Sequence, residues 1–339
     1  MTIRYLSQVG QSAYHDLRRL LLDEAVAEIT GSPTRVTVKG RVFWYEKFRL
    51  GGDVVQRYIG PDSDDLRERI ENLEKLKTEA KARQKERTRL VRILRAEGYA
   101  SLDQTNGSLL NALSKCGVFR LGGTIVGTVA FKLYEGELGA ALGFDQMAQT
   151  GDLDIGSFER LSFAIGDQVE TPLGEVFHDL KFSPVPSLDR NAVWKWEQSQ
   201  KGTLVEFLMP AHGEETIREL PALGVSALAL RHLDYLLERP IKAVALYRSG
   251  ILVQVPRPEA YAIHKLIVAE RRMGGPDALK ARKDRAQSAF LIEALAELRP
   301  GELAEAYEDA IGRGSRWEEQ IEASLKRMPE AKAMLQSLL

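Results

Sequence analysis

The chain has 339 residues, 44% of them apolar and 28% charged, and its 48 acidic and 47 basic residues leave a formal net charge of −1. That is enough apolar material for two or three domains with real cores, and the even charge balance excludes a global electrostatic drive toward nucleic acid or anionic membrane. The lone cysteine, Cys116, reads as a small buried thiol and excludes an intrachain disulfide or a multi-cysteine metal centre.

No window reaches the ~18–20 apolar residues of a membrane helix, and the N-terminus lacks the apolar stretch of a secretory signal. A cytoplasmic protein with no membrane partner is therefore expected. Tyr14, Leu17, Leu20, Leu21, Val26 and Ile29 recur at helical spacing, which predicts an amphipathic helix over 11–29. From 36 to 59 the pattern changes to β-branched and aromatic residues around Gly51-Gly52-Asp53, a hairpin signal closed by Gly60-Pro61. Its Phe43, Trp44, Tyr45, Phe48 and Tyr58 interleave with Arg35, Lys39, Arg41, Lys47, Arg49 and Arg57. That composition suits a nucleic-acid surface and equally a hairpin with one packed and one wet face.

Residues 62–95 predict a long helix with a stripe of Leu66, Ile70, Leu73 and Leu76, and the intervening KLKTEAKARQKERTR reads as solvated charge. A short helix over 108–113 leads into a Val118–Ile155 stretch discussed below. Residues 161–182 give no local signal, and Trp194 and Trp196 stand in a polar setting. KGTLVEFLMP over 201–210 reads as an extended run stopped by Pro210, 212–240 as a loop with apolar clusters, and 241–255 as a hairpin around Ser249-Gly250. From Pro256 onward the pattern is helical: PEAYAIHKLIVAERR, a Gly-Gly-Pro loop, ALKARKDRAQSAFLIEALAEL, then two further helices. Three regions are expected: 1–100 with helix, hairpin and charged helix, an α/β core over 101–255, and a helical domain over 256–339.

Chemistry concentrates between Val118 and Ile155. An apolar run ends in Gly122-Gly123 with a helix-compatible segment behind it. Such a turn lets backbone approach a ligand and aims helix N–H groups at an anion, although the Walker and dinucleotide patterns are absent. Asp152 and Asp154 then share one face of a predicted strand, because side chains two apart point the same way. Paired carboxylates repel unless a cation lies between them, and Mg²⁺ is commonly held by one or two carboxylates plus substrate phosphates. The plain alternative is an exposed acidic edge or a helix cap. Glu206, inside the apolar run LVEFL, is a third carboxylate whose burial calls for a partner.

Taken together, Gly122-Gly123, the Asp-Leu-Asp-Ile of 152–155 and the acidic residue on a later strand resemble the nucleotidyltransferase superfamily. More narrowly, GRVFWYEKFRLGG with QRYIGP, FRLGG, GDLDI, VEFLMP and PRPEAYAIHKL resemble a bacterial family of nucleotidyltransferase-like proteins. Lys265, Arg271 or Arg272, and Lys283-Asp284 are similar to basic and acidic positions of the abortive-infection toxin branch. The resemblance implies an α+β fold: a nucleotidyltransferase-like mixed sheet core, an N-terminal helix and hairpin region, and a C-terminal helical bundle. It implies transfer of an NMP group from an NTP to a hydroxyl of RNA, protein or a small molecule. Asp152, Asp154 and Glu206 would be the catalytic carboxylates holding Mg²⁺ or Mn²⁺, with Gly122, Gly123, Lys265, Arg271, Lys283 and Asp284 around the nucleotide. His264 reads as a core or supporting histidine. A rival is a nucleotide- or RNA-binding regulatory protein of the same fold without catalysis. A metal-dependent phosphodiesterase is a third reading, against which His178, His212, His232 and His264 count, since none clusters with the acidic strand.

Overall fold

The computed structural model describes residues 3–50, 53–143, 152–158, 166–186, 192–273 and 278–338. Ser7 accepts the Gly10 N–H at 3.0 Å and so caps the first helix, α1 (Gln8–Ala27), which buries Tyr14, Leu17 and Leu21. A three-stranded antiparallel sheet follows: β1 (Ser32–Val38), β2 (Arg41–Leu50) and β3 (Asp53–Pro61). The single hairpin expected there is thus a meander. Its extra turn falls at Lys39 and Gly40, both at positive φ, while Gly51 and Gly52 of the expected turn lie outside the described residues.

The long charged helix expected over 62–95 is three helices: α2 (Asp64–Glu71), α3 (Leu73–Thr78) and α4 (Ala80–Ala96). Nor is its charge all solvated. Arg83 and Arg87 are buried on α4, where both guanidiniums reach Glu24 of α1. Leu90, Val91 and Leu94 join Tyr14, Leu17 and Leu21 in one cluster, and Leu73 and Leu76 join Val26 and Ile29 in another.

After α5 (Gln104–Lys115), the chain turns through Gly122 into β4 (Thr124–Val126) and then α6 (Gly127–Leu138). The strand therefore follows the Gly-Gly pair instead of preceding it. Next come β5 (Leu153–Gly156), α7 (Leu173–Asp179), β6 (Phe182–Pro184), β7 (Lys195–Gln198) and β8 (Leu204–Pro210). The expected loop over 212–240 instead holds β9 (Ile217–Leu220), β10 (Val225–Leu230) and α8 (Leu233–Leu237).

Among the described residues these strands make a mixed seven-stranded sheet with the path β4-β5-β8-β10-β9 and β7 against the N-terminal half of β8. Leu153, Ile155, Val205 and Phe207 are completely buried on one face of β5 and β8. The hairpin β11 (Ile241–Ala245) and β12 (Ile251–Val255) forms as expected and is tied to α1, where the Val244 N–H donates to the Tyr14 hydroxyl at 3.1 Å.

The C-terminal helices are α9 (Pro258–Arg271), α10 (Ala278–Leu298), α11 (Pro300–Gly312), α12 (Ser315–Leu325) and α13 (Pro329–Gln336). They share one continuous apolar core with the sheet, with α9 packed on α8, which itself lies against β8, and α10 packed on α6. This is an α+β architecture: an N-terminal helix and hairpin region, a mixed sheet and a helical bundle. Among the described residues no helix is long and apolar enough to cross a membrane.

Candidate active site

Register builds the site. Strands β5 and β8 run parallel with Asp154 opposite Glu206, β4 runs antiparallel to β5 with Val126 opposite Asp154, and β7 sets Lys195 opposite Glu206. Cross-strand partners share a face, so Val126, Asp154, Glu206 and Lys195 form one row across the sheet. The apolar neighbours of the two carboxylates anchor the opposite face. Asp152 lies just before β5, on the Asp154 side of the strand by its spacing.

Three negative charges are felt together here. Burial, then Glu206, then Asp152 push the Asp154 carboxyl up to about 6, against the opposing pull of Lys265 and Arg272. Glu206 has a partner: the Lys195 ammonium is 2.7 Å from its Oε1. Among the described residues no three His, Cys, Asp or Glu side chains are gathered closely enough to hold a metal ion. The donors are nonetheless all carboxylate oxygens, the class that hard divalent cations take, and their mutual repulsion is what such a cation relieves.

Beside Asp154 stands a glycine that sequence reasoning passed over. Gly127 opens α6 at φ +67, and a Cβ there would come within 2.3 Å of Asp154 Oδ2. Val126, the residue before it, gives no side-chain cap to the helix, so among the described residues the cap position leaves the first N–H groups of α6 to another acceptor, the arrangement that suits an anion. Thr128 follows, buried, its hydroxyl accepting from Lys283 Nζ at 3.0 Å. The Tyr261 hydroxyl of α9 donates to the Gly127 carbonyl at 2.7 Å and steadies the turn.

The pair expected to do this work, Gly122-Gly123, sits elsewhere. It precedes Thr124, which pairs with Gly156, whereas Asp154 pairs with Val126 at the other end of β4. Gly123 is required because a Cβ would meet Val118 Cγ1 at 2.5 Å, and the Gly122 carbonyl accepts from Thr124 and Gln254. The strand–glycine–helix arrangement sought at 122–123 is realised at 126–128, where Thr128 also supplies a hydroxyl.

Helices α9 and α10 bring the remaining predicted residues. Asp284 is completely buried and holds Lys265 at 2.5 Å and Arg272 on its other oxygen. Burial pulls the Lys265 ammonium below its ordinary range, and Asp284 pulls it back up. Asp284 is thus the counterion of two cations. A cavity of about 310 Å³ is lined by Gly127, Asp154, Lys265, Arg271, Arg272 and the unforeseen Arg231. Arg271 is held at its mouth by Glu215, 3.0 Å away. His264 also lines it, and burial followed by Lys265 pushes its imidazole down to about 3, so it is neutral at physiological pH.

Gly127 gives a direct test of this geometry. Gly127→Ala forces an L side chain into the left-handed region, at a cost of roughly 1–2 kcal/mol, and drives its methyl into Asp154. Denaturant unfolding is expected to show a loss of about 2 kcal/mol, and calorimetry a loss of nucleotide binding that depends on divalent metal. Unchanged binding in a folded Gly127→Ala protein would detach this turn from the site.

A family model described as nucleotidyltransferase matches residues 104–312, more than half of the chain, and spans every strand and helix of the site. No curated protein and no solved structure matches. With the acidic strand pair, the helix start beside it and the cationic helices all inside the matched region, the chain belongs to the nucleotidyltransferase family.

Proposed function

We propose that this protein moves a nucleoside monophosphate from an NTP to a hydroxyl acceptor, releasing pyrophosphate. The observation that carries the reading is one cavity bounded by Asp154, by the uncapped start of α6 and by Lys265, Arg271 and Arg272. Carboxylates on one side and cations on the other suit a metal-bound triphosphate. Asp152, Asp154 and Glu206 are the residues that would hold Mg²⁺ or Mn²⁺, with Glu206 released from Lys195. The metal, when bound, supplies positive charge to phosphate oxygens that would otherwise repel the carboxylates and the attacking group.

The chain's own residues do the rest. The first N–H groups of α6 and the Thr128 hydroxyl meet phosphate oxygens, the role first assigned to Gly122-Gly123. An acceptor oxygen bonds to the α-phosphorus, and the bond from that phosphorus to the bridging oxygen breaks. The charge gathering on pyrophosphate is met by Lys265, Lys283, Arg271 and Arg272, and Glu206 takes the acceptor's proton. In this division of labour residues 101–255 carry the carboxylates and 256–339 the cationic wall. RNA, a protein and a small alcohol all offer the acceptor hydroxyl, and the cytoplasm, where NTP is supplied, is the matching compartment. Kinship to the abortive-infection toxin branch belongs to the same proposal and rests on Lys265, Lys283 and Asp284.

A second reading has its own observation. Lys195 already neutralises Glu206, which favours a protein that binds nucleotide without transferring it. Incubation with each NTP labelled at the α-phosphate, with Mg²⁺ and in turn RNA or the protein alone, separates the two. Label on an acceptor with stoichiometric pyrophosphate supports transfer, and saturable metal-dependent binding without pyrophosphate supports the second reading. Release of inorganic phosphate as the first product, or no binding at all, overturns both.

A further inference from the structure

A second cavity, of about 420 Å³, lies between the N-terminal elements and the core, and its lining shares no residue with the Asp154 cavity. That volume falls within the roughly 300–1,000 Å³ of small-molecule sites. Its walls are largely apolar, with Leu21 and Val26 from α1, Ile59 from β3, Phe119 from the turn after α5, and Ile251 and Leu252 from β12.

The charged groups around it are mostly spoken for. Arg57 meets Glu46 and Glu170, Arg69 meets Asp23 and Asp65, Arg87 meets Glu24, and Arg120 meets Asp167. Glu28 and Lys115 are exposed at the rim. Lys242 of β11 differs from all of these. Its Nζ donates to the Phe119 carbonyl at 3.1 Å, and among the described residues it forms no ion pair with a carboxylate. An ammonium has three donors, so two are left toward the cavity. Burial alone brings this ammonium down to about 8, which leaves it charged at neutral pH.

An apolar chamber with one uncompensated cation calls for a ligand with one negative charge and an apolar body. A nucleotide or other polyanion would need several free donors, whereas Arg57, Arg69, Arg87 and Arg120 are each paired with a carboxylate, and Arg87 also bonds Ser249. The one buried guanidinium nitrogen among them without a hydrogen bond, Arg120 Nη2, lies 3.7 Å from Glu170. We propose that the cavity is a binding site for a small amphipathic monocarboxylate, whose carboxylate meets Lys242 and whose hydrocarbon part lies against α1, β3 and β12. The site is independent of the nucleotide reading, and so is its test.

Calorimetric titration of the full chain with octanoate, octanol, acetate and inorganic phosphate provides that test, on wild type and on Lys242→Met. Octanoate is expected to bind saturably at one site, octanol about tenfold or more weaker because it lacks the charge-assisted bond, and acetate and phosphate not at all. Lys242→Met is expected to lose the preference for octanoate while still taking octanol. The substitution keeps the side chain's length, thermal unfolding reports its fold, and the wild-type comparison stands even if the variant does not fold. Equal binding of octanoate and octanol, undiminished octanoate affinity in folded Lys242→Met, displacement by phosphate, or no saturable binding to wild type would each overturn the proposal.

Discussion

Asp154→Asn is expected to abolish metal-dependent nucleotide binding while making the metal-free protein more stable above pH 6. The Asp154 carboxyl is raised from 3.8 to about 6, by burial first and then by Glu206 and Asp152. A carboxyl raised on folding holds its proton more tightly in the folded state than in the unfolded one. Stability therefore falls as pH rises from about 4 to about 6, and the penalty is complete above the folded value. It amounts to on the order of 3 kcal/mol. An asparagine keeps the shape and removes the charge, so the variant should show no such fall between pH 4 and 6. Thermal unfolding across that window in the presence of a chelator checks the stability arm, and calorimetry with a nonhydrolysable NTP and Mg²⁺ checks the binding arm. A variant no more stable than wild type at pH 8 would mean that burial and the neighbouring carboxylates together do not destabilise ionised Asp154 in the folded chain. Stability given up at a site in this way is the ordinary mark of residues kept for chemistry.

The acidic half of this site was legible because a strand has a period of two. Asp152 and Asp154 flank Leu153, Glu206 interrupts an apolar run, and those patterns survive without knowledge of the fold. The glycine turn was not legible in the same way. Strand β4 is only three residues long, too short for any periodic signal, and Gly-Gly is a louder turn mark than Gly-Thr. Only the pairing of Val126 with Asp154 shows which glycine stands beside the carboxylate. The charged stretch over 62–95 was misread for a related reason. No Gly or Pro marks its breaks at Asn72 and Glu79, and the burial of Arg83 and Arg87 depends on Glu24, a residue of another helix. Strands β9 and β10 were hidden because Ile217–Leu220 places Arg218 and Glu219 on a half-buried edge, which reads as loop. The C-terminal region was legible as helical from Pro256 onward, but two helices were expected after Leu298 where three are found, because the break between α12 and α13 at Met328-Pro329 separates two short helices that read as one. Which cations Asp284 pairs with was not legible, since they come from α9 and the turn after it, and only the fold brings them together.

That buried group gives the second large effect. Asp284→Ala is expected to cost about 3–5 kcal/mol, the usual result of removing one side of a buried ion pair, because Lys265 loses its counterion inside the core and Arg272 loses its anchor. Asp284→Asn is the more informative variant. It keeps an oxygen that can accept from Lys265 and removes the charge that offsets desolvation, so the Lys265 ammonium, already lowered, falls further. A lysine lowered on folding is neutral at a lower pH than usual. Nucleotide affinity in Asp284→Asn should therefore fall off with rising pH earlier than in wild type. The double variant Asp284→Asn/Lys265→Met separates structure from function. With neither charge buried it should recover much of the lost stability, and it should still bind nucleotide poorly, because the cavity has lost a cation. Unfolding curves and calorimetric titrations on wild type, Asp284→Asn, Lys265→Met and the double variant complete the cycle. Wild-type nucleotide affinity in the stabilised double variant would remove Lys265 from the phosphate wall and leave the buried triad a purely structural clamp between α9 and α10.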